Sequence, residues 1–324
     1  MMQRRTIAGI LSLSLMLGSF TLPLLAQQPG PDRQIAITID DLPFGGPDLG
    51  LPRIRALNEK ILAALRREGI AATGFVNESK LYVAGEIDAR TALLASWLEA
   101  GQELGNHTFS HPSLRDTPVP AFEEDLVRGE TVTRWLLGQR GKQLRYFRHP
   151  FLHTGSLEAR KELESFLAAR GYTVAPVTIE NSDFIFSRVY NEAKTKGDAA
   201  AMQQTAEAYL RFTEAQLDFW EGVAQTVVGR PLRHVLLLHD NEINADHLGA
   251  LLALLKRRGY RFIPLEEALR DEAYRLPDTY AGRGGVSWLY RWAAGRDVKI
   301  DWKQEPEPPE PIQKLYDQIT RPPG

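Results

Sequence analysis

The chain of 324 residues is long enough for one large domain, or for one domain with extensions. Its net charge of −2 gives no reason to expect nucleic acid as a partner. It contains no cysteine, which excludes disulfides, thiolate metal sites, cysteine nucleophiles and a lipidated cysteine anchor.

The N-terminal residues 1–26 are predicted to form a signal peptide. Arg4 and Arg5 precede the apolar stretch 7–17, and the small residue Ala26 precedes a polar segment. An uncleaved membrane anchor is the alternative, but serines and a proline interrupt the short apolar core. We therefore expect a periplasmic or secreted protein without stable membrane insertion after cleavage.

Residues 34–270 are predicted to form one α/β domain, in which short apolar runs alternate with amphipathic stretches of helical period. Such alternation implies parallel strands joined by helical crossovers. Seven strands over about 240 residues favour a barrel over an open sheet, which spacing alone does not exclude. The predicted strands are Ile35–Ile39, Ala72–Val76, Gln102–Gly105, Arg145–Phe147, Tyr172–Ile179, His234–Leu238 and Tyr260–Leu265.

Two segments depart from this alternation. The stretch at about 187–230 is mostly helical in pattern and too long for a simple crossover, so it is predicted to be a helical insertion. Residues 271–324 form a C-terminal extension, with aromatic residues expected to pack on the barrel. Its Pro/Glu-rich tail is expected to be extended.

The first and third predicted strands are followed by side chains that could bind a metal. His107 and His111 are spaced so that both imidazoles can face one point, on a helical turn or in a tight loop. The spacing copies that of zinc proteases, but Thr108 stands where their general-base glutamate would be. Asp41 could supply a third ligand, with Asp40 beside it as the general base. The alternative is that these residues only cap loops and form local hydrogen bonds.

Other strand ends also carry polar side chains, namely Arg148, Asp183 and His239, with His149 and His153 close to the first of them. The carboxyl ends of barrel strands converge on one face, where active sites form. Any one of these residues is more often structural than catalytic. Their presence at several strand ends together is difficult to ascribe to packing.

These residues fall in five motifs by which the chain resembles the polysaccharide deacetylases, carbohydrate esterase family 4 (CE4). The motifs occur in the family's order and lie within residues 35–269. They differ from the family pattern at Leu42, which replaces a glycine, and at Phe184, which replaces a tryptophan. The motifs are "TIDDL" (Thr38–Leu42), "HTFSH" (His107–His111), "RHPF" (Arg148–Phe151), "SDF" (Ser182–Phe184) and "LLHD" (Leu237–Asp240).

The resemblance implies a distorted (β/α)7 barrel and a divalent metal, most often zinc. By the same resemblance the metal ligands are Asp41, His107 and His111.

The resemblance also implies the catalytic roles. Asp40 would be the general base for the attacking water, held by Arg148, which would lower the pKa of Asp40 and keep it ionised. His239 would be the general acid that protonates the leaving amine, oriented by Asp183.

Three further residues are predicted to contact the substrate. The resemblance implies that Leu237 lines the acetyl pocket and that the backbone N–H of Phe151 stabilises the oxyanion. His149 is predicted from its position beside Arg148 to face the cleft.

The sequence therefore predicts an exported, metal-dependent deacetylase acting on N-acetyl groups of a polysaccharide such as peptidoglycan or a chitin-like glycan. One alternative is an O-acetyl esterase on xylan or an exopolysaccharide. Another is a non-catalytic carbohydrate-binding barrel.

Overall fold

The computed structural model describes residues 32–321. The predicted signal peptide lies outside the described residues. Within residues 32–321, no helix combines the length and apolar character needed to cross a lipid bilayer.

Within residues 32–321, seven parallel strands form one sheet. The strands are β1 (Arg33–Leu42), β2 (Thr73–Val76), β3 (Glu103–Asn106), β4 (Tyr146–Phe147), β5 (Thr173–Val174), β6 (Arg233–His239) and β7 (Tyr260–Phe262). The first six lie in the order β5-β4-β3-β2-β1-β6, and β7 pairs with the first residues of β1. A single bridge between Ile179 and Leu236 joins the chain after β5 to β6. This is the predicted distorted barrel, and each strand falls within or overlaps a predicted apolar run.

Helices surround the sheet. Several have boundary residues that explain where they begin and end. Ser156 and Asp198 accept N-cap hydrogen bonds, while Gly69 and Gly229 end helices in the left-handed conformation. The helices are α1 (Leu51–Glu68), α2 (Ile87–Glu99), α3 (Val119–Arg128), α4 (Thr131–Gly138), α5 (Leu157–Ala169), α6 (Asp183–Lys196), α7 (Ala199–Val228), α8 (Glu242–Arg257), α9 (Leu265–Ala268), α10 (Trp288–Gly295) and α11 (Glu310–Thr320).

The interior of the barrel is apolar at one level and polar above it. Residues such as Ala36, Phe75 and Val235 form a small buried cluster. Thr38 lies two residues beyond Ala36 on β1, and on the same face because side chains alternate. The buried guanidinium of Arg148 lies 4.6 Å from the Phe75 ring centroid and donates a 3.0 Å hydrogen bond to Thr38 Oγ1. The apolar layer thus supports polar side chains at the carboxyl ends of the strands.

The insertion and the C-terminal extension both pack close to these strand ends. Helices α6 and α7 occupy the stretch predicted to be a helical insertion, and α6 begins at Asp183, a predicted site residue. Helix α11 packs on α6. The prediction that the Pro/Glu-rich tail is extended is therefore wrong for residues 310–320. The prolines there precede the helix or lie in its first turn, where no backbone N–H is required.

The aromatic part of the C-terminal extension packs on the barrel, as expected. Trp288 and Trp292 are buried. The backbone N–H of Trp288 donates to the carbonyl of Val177 over 2.8 Å, and the Ser287 hydroxyl donates to the carbonyl of Thr178 over 3.0 Å. These bonds cover the chain where it passes from β5 to β6.

Candidate active site

The end of β1 places two consecutive carboxylates on the same side of the sheet. Successive strand residues normally point to opposite faces. Here the pairing of β1 with β2 shifts register between Ile39 and Leu42, and Asp41 has a φ of 74°. Asp40 lies beside His239 in the register of β1 and β6. The irregular backbone therefore lets Asp40 and Asp41 share one cavity.

The loop after β3 holds two histidines by hydrogen bonds within the loop. Asn106 Oδ1 accepts from the backbone N–H of Thr108 over 2.6 Å, and Thr108 Oγ1 accepts from that of His111 over 3.0 Å. Of the two conformations that the spacing allowed, the structure has the tight loop. Gly129 lies against it, where a Cβ atom would come within 2.4 Å of the Thr108 carbonyl carbon.

Donor atoms of Asp41, His107 and His111 all lie within 4.8 Å of one another. His111 Nε2 is 3.7 Å and His107 Nε2 is 3.8 Å from Asp41 Oδ1. Such separations suit donors that would each bind one ion at about 2.0–2.2 Å. Two imidazoles and a carboxylate form a donor set that divalent ions such as zinc accept.

The hydrogen bonds of these residues also fit a metal. His107 Nδ1 donates a 2.9 Å hydrogen bond to the carbonyl of Arg148, so the lone pair of its Nε2 is free to bind an ion. Asp41 Oδ1 is buried without a hydrogen-bond partner among the described residues. Burial lowers the pKa of His107 and of His111, which favours neutral imidazoles. The three residues therefore fit the metal that the resemblance implies.

Lys80, which sequence reasoning missed, lies against this group. Its ammonium donates to the carbonyls of Asp41 and Phe44 over 3.1 and 3.0 Å and is 3.4 Å from Asp41 Oδ1. Burial alone would raise the pKa of Asp41, but the charge of Lys80 is the largest of the effects that hold it well below its usual range. Lys80 thus fixes the backbone that carries Asp41 and keeps its carboxylate ionised.

Asp40 is buried between Arg148 and His107. Its Oδ2 lies 3.4 Å from Arg148 Nη1 and 3.6 Å from His107 Nε2. Burial raises the pKa of Asp40 to about 6, although the charge of Arg148 lowers it. Arg148 therefore has the expected lowering effect, but the loss of hydration is larger, so the pKa of Asp40 is raised overall. The contact between Arg148 and Asp40 is present as predicted.

His239 faces these carboxylates from the end of β6 and is held by Asp183. Its Nδ1 donates to Asp183 Oδ1 over 2.6 Å, and its backbone N–H donates to Asp183 Oδ2 over 2.7 Å. Burial would lower the pKa of His239, but the carboxylates of Asp183, Asp41 and Asp40 raise it to about 10. The side chain is therefore an imidazolium, and its Nε2 is left to face the cavity.

A second set of polar residues, also missed from the sequence, supports Asp183. Asn244 Nδ2 donates to Asp183 Oδ2 over 2.5 Å and to the carbonyl of His239 over 2.9 Å, and Asn241 Nδ2 donates to Asp183 over 3.2 Å. The Tyr209 hydroxyl, from α7, donates to Asn244 Oδ1 over 2.7 Å. The insertion is thereby connected to the predicted general acid. The sequence signal was the polar run "DNEIN" directly after His239.

These groups line a cavity of about 650 Å³. Leu237, Phe151 and His153 line it. The structure does not bring His149 to the cavity. His149 is 2% exposed, and its ring packs 4.9 Å from that of Phe147. It follows Arg148 in the chain, and consecutive side chains leave a strand on opposite faces.

The two departures from the motif pattern have different positions. Leu42 is fully buried and points away from the cavity, toward Gly74 and Trp97; a Cβ atom at Gly74 would lie 2.6 Å from Leu42 Cδ2. Phe184 is 46% exposed and lines the cavity, with its ring centroid 6.1 Å from that of His239. The cavity also includes residues from the insertion and from α11, which the sequence did not indicate.

Comparisons with known proteins support the resemblance read from the motifs. The polysaccharide deacetylase family model matches residues 27–167. A chitin deacetylase from Pestalotiopsis sp. is 28% identical over 149 residues, which is 46% of this chain and 43% of that protein. The chain thus spans less than half the length of that curated relative.

Two solved structures share the fold. A CE4 esterase from Streptococcus mutans is 22% identical, with a TM-score of 0.51 over 72% of this chain and 86% of its own. A CE4 family pseudoenzyme from Bacillus anthracis is 16% identical, with a TM-score of 0.50 over 74% of this chain and 66% of its own. At these identities the structures bear on the fold, while the family model and the curated relative bear on the family.

Proposed function

We propose that this chain, a member of the polysaccharide deacetylase family, is an exported, metal-dependent enzyme that hydrolyses N-acetyl groups of a polysaccharide. One observation carries the proposal. Asp40 and Asp41 are adjacent in sequence but have different partners, Arg148 for the first and two histidines for the second. A protonated histidine faces both across an open cavity.

Asp41, His107 and His111 would hold the metal, which when bound polarises the acetyl carbonyl and makes water more acidic. Asp40 accepts the proton of the attacking water, because it is ionised above its pKa of about 6. Arg148 holds Asp40 in position without itself reaching the cavity, since its side chain is fully buried.

His239 donates a proton to the departing amine. An amine is a poor leaving group unless it is protonated as the C–N bond breaks. With a pKa raised to about 10, His239 carries that proton throughout the neutral range. Asp183 accepts from Nδ1 and so orients Nε2 toward the substrate.

The acetyl group would lie between Leu237 and Phe151. Leu237 presents an apolar side chain to the cavity, which suits the methyl group. The Phe151 ring lies 4.3 Å from that of His111, so this residue adjoins a proposed metal ligand. This neighbourhood supports its N–H as the donor to the oxyanion.

An O-acetyl esterase remains the second candidate, since base and metal serve both bonds equally. The paired His239 and Asp183 favour the amide, because an alkoxide needs less help from a general acid than an amine does. A non-catalytic barrel is the third candidate, and a pseudoenzyme does share this fold. We favour catalysis because Asp40, Arg148 and His239 are all present and in mutual contact or adjacent in register.

Acetate release tests the proposal. Purified protein would be assayed with chito-oligomers, peptidoglycan and acetylxylan, with its metal content measured, and Asp40→Asn would serve as the matched blank. We expect a stoichiometric divalent metal and acetate from an N-acetylated glycan. Release from acetylxylan alone would establish the esterase, and no release from any glycan by metal-loaded protein would contradict the proposed activity.

Export is tested separately by cell fractionation of the full-length chain. The proposal expects a product shortened by about the length of residues 1–26 outside the cytoplasm. Full-length protein in the cytoplasmic fraction would contradict it.

A further inference from the structure

One wall of the cavity is built by the insertion. Helix α6 presents Phe184, Ser187, Arg188 and Asn191 to the cavity. The last three lie three, four and seven positions after Phe184, which places all of them on one helix face. Since α6 starts at Asp183, this face begins directly beside His239 and extends away from it.

The C-terminal extension adds an aromatic ring to the same wall. Tyr316 of α11 lines the cavity, and its ring centroid lies 6.1 Å from that of Phe184. Phe184 in turn lies 6.1 Å from the ring of His239. Half-exposed aromatic rings in an open cleft offer apolar faces to a sugar ring without needing a charged partner.

The carboxylates around the cavity leave the positive charge of Arg188 available for a ligand. Among the described residues lining the cavity, Arg188 is the one arginine or lysine, and it forms no ion pair with a described carboxylate. The nearby carboxylate of Glu242 is already paired with Lys194 over 2.6 Å and with Arg53. Asp40 is paired with Arg148. Within residues 32–321, Arg188 therefore has no partner of opposite charge.

Glu180 is the remaining acidic residue on this side. It accepts the backbone N–H of Ser182 over 2.9 Å, and burial raises its pKa. The raised pKa reduces its capacity to neutralise Arg188, since a carboxyl group that is protonated more readily carries less charge.

We propose that Phe184, Arg188, Asn191 and Tyr316, here called the α6 subsite, bind a carboxylate-bearing sugar next to the residue that loses its acetyl group. This inference rests on the proposed function and specifies its substrate. The rings of Phe184 and Tyr316 contact the sugar face, and Arg188 binds the carboxylate through two parallel hydrogen bonds. Arg188 lies one helical turn, about 5.4 Å, beyond Phe184, which suits a neighbouring sugar rather than the reacting one.

The carboxylate could belong to a uronic acid within the chain or to an acidic ether substituent, as on muramic acid. Two matched pairs of probes separate these sources. One pair is a uronate–N-acetylglucosamine tetrasaccharide and its carboxyl-reduced form. The other is an N-acetylglucosamine–N-acetylmuramic acid tetrasaccharide and chitotetraose, which lacks the acid.

Binding would be measured on the metal-loaded full chain carrying Asp40→Asn, so that no probe is consumed. We expect at least one acidic probe to bind more tightly than its neutral partner. Adding Arg188→Gln should weaken that probe about 10-fold or more and leave chitotetraose within about twofold. Arg188→Lys should restore part of the preference, and the preference should shrink at high salt.

Lys196→Gln is the matched control, because it removes one positive charge from the same helix at a residue 67% exposed in its side chain and outside the cavity. Equal losses for acidic and neutral probes, no preference for either acidic probe, or no binding of any probe would each overturn the inference. Carboxylate-dependent binding without acetate release in the wild type would instead contradict the proposed function and leave the α6 subsite standing.

Discussion

The two sides of the cavity are held in place by different kinds of contact. The metal side, defined by Asp40, Asp41, His107 and His111, is fixed by strand register and by tight loops of the barrel itself. The acid side, defined by His239 and Asp183, is fixed by side-chain hydrogen bonds that reach it from α7 and α8. The barrel thus supplies one half of the site, and an insertion completes the other.

Backbone strain is concentrated at the strand ends, on both sides of the cavity. Left-handed φ values at residues other than glycine cost of order 1–3 kcal/mol each and persist only where the surroundings impose them. Most of those among the described residues lie in the loops at the strand ends rather than elsewhere in the fold. They are Asp41, Thr108, His111, Phe151, Leu152 and Ser182, with Asp297 as the exception.

The largest expected effect separates the two adjacent carboxylates of the metal side. Asp40→Asn should lower kcat for acetate release about 10²–10⁴-fold and retain the metal, because only the proton acceptor is lost. Asp41→Asn should lose the metal as well as the activity. Elemental analysis measures the metal content of both variants. Equal metal content in the two would refute the assignment of Asp40 as proton acceptor and Asp41 as metal ligand.

Removing the general acid should affect one substrate class more than the other. His239→Ala should lower kcat on an N-acetylated oligosaccharide about 10²-fold or more, and on an O-acetylated one much less. Metal content should stay at the wild-type level, since His239 is not one of the three residues that would hold the metal. Parallel assays of the two substrates check this, and an equal loss on both would remove His239 from the role of proton donor.

A smaller effect is expected where the insertion reaches the acid side. Tyr209→Phe deletes the hydroxyl that donates to Asn244 and should lower kcat on the amide about 3–10-fold. KM and metal content should not change, because the altered group acts through Asp183. Tyr190 belongs to the same insertion, and its hydroxyl donates to Asp246 of α8. Tyr190→Phe should leave kcat unchanged. A fall in metal content with Tyr209→Phe would mean that the two sides are not independent.

The smallest effect on activity is expected for His234, which lies on neither side. Burial lowers its pKa to about 4 from an ordinary value of 6.5. Between those values the unfolded chain binds a proton that the folded chain does not, so stability is lost as pH falls from about 6.5 to 4. The loss from this residue reaches up to about 3 kcal/mol.

His234→Gln should therefore flatten the fall in free energy of unfolding across that window and leave activity at neutral pH unchanged. Urea unfolding at about pH 7 and about pH 4.5 measures this fall in the free energy of unfolding. The same data distinguish acid inactivation through Asp40 from acid unfolding. An unchanged slope in the variant would show that other groups control the acid response.

The metal side was largely predictable from sequence, and the acid side only in part. All seven strands coincide with apolar runs, and because parallel strand ends converge, the motifs that follow them were expected to meet. The register shift at Asp41 was not readable, since it depends on how β1 pairs with β2. It is this shift that lets two consecutive side chains face one cavity.

What escaped prediction depends on packing between distant segments. Tyr209 and Arg188 lie on helices whose amphipathic pattern shows which face is polar but not which cavity that face adjoins. The segment that forms α11 was predicted to be extended from its Pro/Glu-rich composition, although its prolines lie where a helix tolerates them. Lys80 gave no signal, because nothing in a single lysine shows that it will meet two carbonyl groups.

The bonds from Ser287 and Trp288 to the carbonyls of Val177 and Thr178 have a consequence for solubility. Strand backbone with free carbonyl groups is a template on which another chain can pair. A chain shortened before Ser287 would uncover this stretch in every molecule at once. We therefore expect loss of the C-terminal extension to leave these two carbonyl groups without their partners and to favour aggregation.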